Sequence, residues 1–316
     1  KTNVQFRMGT PEKLNAAASE LTLTDGQVIK YDHLVIALGS TTADFGIAGV
    51  KENALGMKTV GEALTIRSEV MRSYEDMCRQ GNKDNLDIAI VGGGPTGVEL
   101  AGAMAELKNH VLPNDYPDLD IRRMKISLIE AGDSLLSAMN TKARTTAEEY
   151  LKKLGVELYL NTFVKDYDGD SVVTSKNVLQ SKTLIWAAGV KGNTLKGIPE
   201  DSISRSRYIV NEYNLVENTK TIFAIGDVAL MPSVDVNGDP MVAQTAIQHG
   251  LLLASNLKKI VSGKEPLAFK YNGKGSMATI GRNKAVAQIG SFKSKGILAW
   301  AIWMFVHLIT LVGFRN

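Results

Sequence analysis

The stretch LDIAIVGGGPTGVELAGAMAEL, residues 86–107, leaves the chain few folds to choose from. Four apolar residues, Ile88 to Val91, run into Gly92-Gly93-Gly94-Pro95-Thr96-Gly97, and an apolar-periodic helix is expected from Val98. In such a strand–loop–helix, Gly92 permits the tight turn, Gly94 lets a pyrophosphate approach the backbone, and Gly97 lets helix pack on strand. The phosphates then meet the free amides at the helix N-terminus. A second apolar strand, KISLIEAG, ends in Glu130, an acid suited to a ribose 2′-hydroxyl. Its distance from Gly97, 33 residues, exceeds the usual ~20. Residues 109–124 carry Pro113 and Pro117 and read as an insertion that accounts for the excess. No arginine follows Glu130, which favours NADH over NADPH, because a 2′-phosphate would be repelled there. The bland alternative for the loop is a purely structural glycine turn.

The pattern continues and then repeats. Residues 143–154 have helical periodicity and end at Gly155, and Val156 to Leu160 reads as a strand. KTLIWAAGV (182–190) is an apolar strand ending at Gly189. It echoes YDHLVIALGS (31–40), which ends in the same way at Gly39. Two such closing strands imply two nucleotide-binding units, the one around Gly92 inserted into the other. TIFAIGDVA (221–229) places Asp227 just past a further strand end, where the bland reading is a helix cap or turn aspartate. The unit that closes at Gly39 should open on its own glycine loop well over thirty residues earlier. Only Gly9 and Gly26 precede Tyr31, so the expectation is a chain lacking an N-terminal portion.

Composition sets broader bounds. With 316 residues, 44% hydrophobic and 22% charged, the chain can bury cores for about two domains. The single cysteine, Cys78, excludes an internal disulfide framework and a cysteine-ligated metal cluster, and no metal site is read. Charge is uneven. Residues 258–316 hold ten Lys or Arg and one acid, Glu265, a local charge of +9 within a total of +3. The same end carries ILAWAIWMFVHLITLVGF (297–314). As a helix these eighteen residues span roughly 27 Å, slightly short of a ~30 Å hydrocarbon core. Leu298, Ile302, Phe305, Ile309 and Val312 form one apolar stripe, and Trp300, Trp303, His307, Thr310 and Phe314 form a more amphipathic one. With Lys293, Lys295 and Arg315 flanking it, the segment reads as a helix lying in the interface of an anionic membrane. A buried packing helix or a homodimer contact is the alternative. His307 alone is read as structural. Nucleic acid is not expected as a partner, since the charges are interleaved with a long apolar run.

The order of these motifs resembles the two-dinucleotide-binding flavoproteins, and among them the type II NADH dehydrogenases. Beyond the shared strands, AQTAIQHG (243–250), GSMATIGRNKAVA (275–287) and the closing WAIWMFVHLITLVGFRN carry the resemblance. It implies an α/β chain with two Rossmann-like units, the FAD unit incomplete, and a C-terminal membrane-interface helical segment. The corresponding boundaries are 1–60 and 193–265 for the FAD unit, 61–192 for the NADH unit and 266–316 for the membrane-associating region. It implies non-proton-pumping oxidation of NADH through FAD to a membrane quinone, at the cytoplasmic face, by a protein that continues beyond both ends of this chain. Without the first glycine loop, FAD binding and activity of the chain by itself are expected to be weak or lost. Gly39, Gly226, Asp227 and Ala243 are the implied flavin contacts, and Gly92, Gly94, Gly97, Glu130 and Gly189 the implied NADH contacts. Glu99 is the implied proton-handling group, Gln244 and Gln248 border the quinone, and Lys274 is a charge stabiliser. Sulfide:quinone oxidoreductases and thioredoxin reductases need cysteine pairs that this chain lacks. A glutathione-reductase-type enzyme fits the basic, Trp-rich end poorly. A non-catalytic NADH-binding module at a membrane surface stays open.

Overall fold

Ile88–Val91 and Ile126–Ile129 are buried at every position, so both faces of their sheet must be covered. That is why these strands read as apolar runs, interrupted only by Ser127, rather than as alternating ones. The computed structural model describes residues 3–79, 86–117, 120–232 and 238–311. It divides into two compact units: Lys1–Thr41 with Val190–Gly273, and Thr42–Gly189 with Lys274–Asn316.

The second unit is built on five parallel strands in the spatial order Leu55–Gly56, Thr183–Trp186, Ile88–Val91, Ile126–Ile129, Val156–Tyr159. Alternate residues feed two cores. Ile88, Ile90, Ile126, Leu128 and Ile185 point to one side, where Val98, Ala101 and Ala105 of the helix Pro95–Glu106 and Leu151 of Thr141–Lys153 cover them. Ala89, Val91, Ile129, Leu184 and Trp186 point to the other, against Val164, Tyr167 and Val172. Those last residues belong to an antiparallel sheet of Val164–Tyr167, Ser171–Thr174 and Val178–Gln180. Both neighbours of Ile88–Val91 come later in the chain, Ile126–Ile129 on one side and Thr183–Trp186 on the other, so the strand order reverses beside it. In open α/β sheets ligands bind at such a switch point.

The stretch expected to be an insertion is largely helical. Pro95–Glu106 runs on into a π turn, Leu107–Val111, and a last α-turn, Leu112–Asp115; a 3-10 turn, Ile121–Arg123, follows. Pro113 does not stop the helix, because it falls in the first turn of the final segment, where a missing N–H costs little.

The C-terminal segment belongs to this unit. Ser276–Thr279, Ala285–Ile289 and Phe292–Lys295 form an antiparallel sheet. The helix Ile297–Leu311 seats Ala299 against Ala285 and Ala287. Leu298, Phe305 and Ile309 of the anticipated apolar stripe stay exposed, whereas Val312, Phe314 and Arg315 lie outside the described residues. Among the described residues no helix is long and apolar enough to cross a membrane.

The first unit pairs Leu34–Ile36 in parallel with Ile222–Ala224. It adds antiparallel strands Pro11–Asn15, Glu20–Leu23 and Val28–Lys30, and the long helix Ala243–Val261. Its core gathers Leu14, Ile36, Tyr208, Val216, Ile222, Ala224 and Phe269.

One side chain ties the C-terminal sheet to the five-stranded core. Asn140 caps the helix Thr141–Lys153 by accepting the Ala143 N–H at 3.2 Å, while its own amide donates to Gln288 Oε1 at 2.7 Å. Asn140→Ala removes the cap and the side-chain half of the tie, leaving only the backbone N–H of residue 140 on Gln288 Oε1 at 3.1 Å, and is expected to lower stability by about 1–2 kcal/mol. Urea unfolding followed by far-UV circular dichroism measures it.

Candidate functional site

The glycine loop is sealed on two sides and open on one. Gly92 has φ +115, and a Cβ there would fall 2.4 Å from the Ala187 carbonyl oxygen. A Cβ on Gly97 would fall 1.8 Å from the Gly92 carbonyl oxygen. Neither position can carry a side chain, because the obstacle is backbone. Around Gly94 nothing lies within 4 Å, and the residue is exposed. That open position, at the N-terminus of the helix Pro95–Glu106, is where a pyrophosphate fits.

Glu130 follows directly on Ile126–Ile129, and its carboxylate accepts the N–H of Gly93 at 2.5 Å and of Gly132 at 2.6 Å. Each oxygen keeps a lone pair for a ribose hydroxyl. A Cβ on Gly93 would come within 2.8 Å of this carboxylate. Gly93 is thus a fourth required glycine, one that motif spacing alone does not single out.

At the end of the neighbouring strand, Gly189 has φ +155, and a Cβ there would lie 3.2 Å from the Phe45 ring. Phe45 is 66% exposed and holds φ +52, a conformation a bulky residue adopts only under constraint. The constraint is visible two residues away: the Trp186 indole N–H donates to the Ala43 carbonyl at 2.7 Å inside the core. Nothing in the sequence pattern marks Phe45.

In the first unit, the parallel pairing of Leu34–Ile36 with Ile222–Ala224 brings the two motif ends together. The Ser40 hydroxyl donates to Asp227 Oδ2 at 2.6 Å, across 187 positions of sequence. Gly39 and Gly226 both have positive φ, +63 and +70. A Cβ on Gly226 would approach Ala246 Cβ to 3.1 Å, so the loop sits on the first turns of Ala243–Val261. Behind it the Gly226 N–H donates to Nδ1 of the fully buried His249 at 3.2 Å. The ring proton therefore sits on Nε2, which faces Asp239 Oδ2 at 3.0 Å. His249 and Asp239 position the Gly226-Asp227 turn from below, a role the motif AQTAIQHG does not announce.

On the same helix Ala243 is exposed and Gln244 half-buried. Gln248 spends its amide on the backbone of Asn272, donating to its carbonyl at 3.0 Å and accepting its N–H at 2.9 Å.

Glu99 lies on the glycine-loop helix and accepts the Thr279 N–H at 3.2 Å. One turn on, Gly102 lets the Ile280-Gly281 backbone approach to 2.9 Å of where a Cβ would be. Two turns on, Glu106 accepts the Arg282 N–H at 3.1 Å. One face of this helix thus receives the whole Thr279–Arg282 segment. Burial raises the Glu99 carboxyl above the usual range, partly offset by the Thr279 N–H and by the charge of His307. Lys274, by contrast, is exposed and precedes the strand Ser276–Thr279, roughly 16 Å of extended chain from Thr279.

Residues 1–250 match the pyridine nucleotide-disulphide oxidoreductase family, and residues 274–316 match the NDH2 C-terminal domain. The type II NADH:quinone oxidoreductase Ndh of Mycobacterium tuberculosis is 33% identical over 99% of this chain and 71% of its own length. The Staphylococcus aureus type II NADH:quinone oxidoreductase is 28% identical over 92% of this chain and 73% of its own. Among solved structures, NDH2 from Plasmodium falciparum in complex with NADH superimposes with TM-score 0.88 at 22% identity, covering 97% of this chain and 80% of that one. The sulfide:quinone oxidoreductase of Aquifex aeolicus shares the fold at TM-score 0.77 and 18% identity, over 98% of this chain and 75% of its own.

Two expectations test this geometry. Gly93→Ala should displace the Glu130 carboxylate and weaken NADH binding by about tenfold, as read by quenching of NADH fluorescence, with some loss of stability from crowding the buried Leu135. Because folding raises the Glu99 pKa, the folded chain binds more protons than the unfolded one just above about pH 4. Glu99 therefore makes stability fall as pH rises through that window. Glu99→Gln should flatten the decline, measured as the urea midpoint against pH.

Proposed function

Because this chain belongs to the type II NADH:quinone oxidoreductases, within the pyridine nucleotide-disulphide oxidoreductase family, we propose that it oxidises NADH and passes the electrons through FAD to a quinone. The observation that carries the reading is the loop sealed at Gly92 and Gly97 and open at Gly94, with Glu130 held beside it by two backbone amides. Pyrophosphate meets the helix N-terminus, and the adenosine ribose hydroxyls meet the Glu130 carboxylate. A 2′-phosphate there would face an anion with no arginine next to it in sequence, hence NADH rather than NADPH. Gly189 and Phe45 border the nicotinamide.

Gly39, Gly226, Asp227 and Ala243 hold the flavin, and the Ser40–Asp227 hydrogen bond with the buried His249 behind it supports that assignment. Their conformations suit the group: two positive-φ glycines at parallel strand ends, and an acid able to accept a hydroxyl proton. FAD, when bound, supplies a hydride acceptor that can pass its electrons on singly or in pairs. Glu99, which keeps its proton more readily than an ordinary glutamic acid, is the proton donor to the quinone. Gln244 is better placed than Gln248 to donate to a quinone carbonyl, because the Gln248 amide already holds Asn272. Lys274 stays a subsidiary charge stabiliser.

The exposed Leu298, Phe305 and Ile309 and the local charge of +9 support peripheral attachment to an anionic bilayer, on the cytoplasmic side where NADH is found. The test is NADH oxidation by the flavin-loaded full-length protein with a short-tailed quinone, scoring quinol formed per NADH consumed. Equal amounts support the reading; NADH binding without oxidation would leave only a binding module. In the same assay Glu130→Gln should raise KM for NADH about tenfold and narrow the preference over NADPH.

A further inference from the structure

The net reaction proposed above, NADH + H⁺ + quinone → NAD⁺ + quinol, draws one proton from water in every turnover. A half-buried acid that gives its proton to the quinone must be refilled, and the structure holds a route for that. Glu99 opens on a cleft of about 530 Å³, large enough to hold a chain of waters. Its walls are Glu99, Glu106 and His110 from the glycine-loop helix, with Arg282, Trp300 and Trp303 opposite.

We propose that His110 and Glu106 form the entrance of a proton relay that refills Glu99 during quinone reduction. The inference rests on the reading of Glu99 as the quinone's proton donor. His110 is exposed, and its Nε2 lies 3.2 Å from Glu106 Oε2. An imidazole takes a proton at Nδ1 from solvent and releases one at Nε2, which is what an entry group needs. Glu106 is held in place by the Arg282 N–H on its other oxygen, with Lys284 Nζ at 4.0 Å. From Glu106 to Glu99 is two helical turns, about 10 Å, a span for a few waters inside the cleft. The Trp300 and Trp303 side chains form the apolar side of the cleft.

Every charge that faces Glu99 and Glu106 has a place in the scheme. Arg282 and Lys284, from the segment packed on this helix face, lie beside Glu106, the first stop for a proton leaving His110. His307, from the C-terminal helix, favours ionised Glu99 once its proton has left. In one cycle His110 takes up a proton and hands it to Glu106, the water chain carries a proton to Glu99, and Glu99 has already passed its own to a quinone oxygen. The chain ends unchanged, and the electrons come from NADH. The wide turn at Leu107–Val111, a form frequent at functional sites, carries His110.

The experiment compares quinone with ferricyanide as acceptor in the full-length enzyme, since ferricyanide takes electrons without protons. His110→Ala, an exposed change that spares the fold, should lower quinone turnover relative to ferricyanide turnover by about tenfold, increasingly as pH rises. Imidazole in the buffer should restore it, and Glu106→Gln should give the same deficit without rescue. An unchanged ratio in both variants overturns the relay, and so does an equal fall with both acceptors accompanied by a lower melting temperature. Glu99→Gln separates the two readings. If it slows quinone reduction while His110→Ala does not, the donor stands and the relay falls. If it too leaves the ratio unchanged, the assignment of Glu99 falls and takes the relay with it.

Discussion

The backbone contact between Gly97 and the Gly92 carbonyl is the constraint on which the second unit depends. With 1.8 Å between that oxygen and any Cβ at position 97, the helix and the strand can meet there only as bare backbone. That approach aims the helix N-terminus at the open Gly94. It also turns the Gly93 N–H toward Glu130 and its carbonyl toward the Leu136 N–H, at 2.8 Å. One close contact therefore sets the positive end of the helix, the Glu130 carboxylate and the loop after the second strand in a single geometry. The first unit has a looser counterpart in Gly226, where the nearest obstacle is a side chain, Ala246, rather than a carbonyl.

The two acids of the glycine-loop helix show how position divides the work of like residues. Glu99 and Glu106 lie on one face and each accepts a backbone N–H from the same short segment. Burial dominates at Glu99 and favours its neutral form, whereas Glu106 has His110, Lys284 and the Arg282 amide around it. On the reading proposed above, the same residue type would serve seven positions apart as proton donor and as entrance to its refilling route.

Much of this was legible in the sequence where a local rule suffices. Strands buried on both faces are apolar at most positions, so IAIV, ISLI and TLIW announced themselves, and the glycine spacing named Gly92, Gly94 and Gly97. What depends on distant partners was not legible. Gly93 matters only because Glu130 returns beside it, Phe45 only because Gly189 comes to face it, and His249 only because Asp239 and Gly226 close on it. Pro113 misled for a related reason: a proline reads as a break until its place within a helical turn is known. Gln248 is the opposite case, a polar residue on an expected functional face whose amide is committed to Asn272.

Gly102 and Gly281 meet where the glycine-loop helix receives the Thr279–Arg282 segment, and each is hemmed in from its own side. A Cβ on Gly102 would strike the Gly281 nitrogen at 2.9 Å, and one on Gly281, at φ +93, would strike Glu106 at 2.7 Å. In evolutionary terms the two positions form a lock without a single-step key. A methyl group gained at Gly102 pries the helix from the segment, one at Gly281 displaces the Glu106 side chain and strains a left-handed backbone, and no compensating change at the other makes room, because a glycine has nothing left to lose. Substitutions are therefore expected to be tolerated in the exposed loops and the C-terminal helix rather than at this crossing.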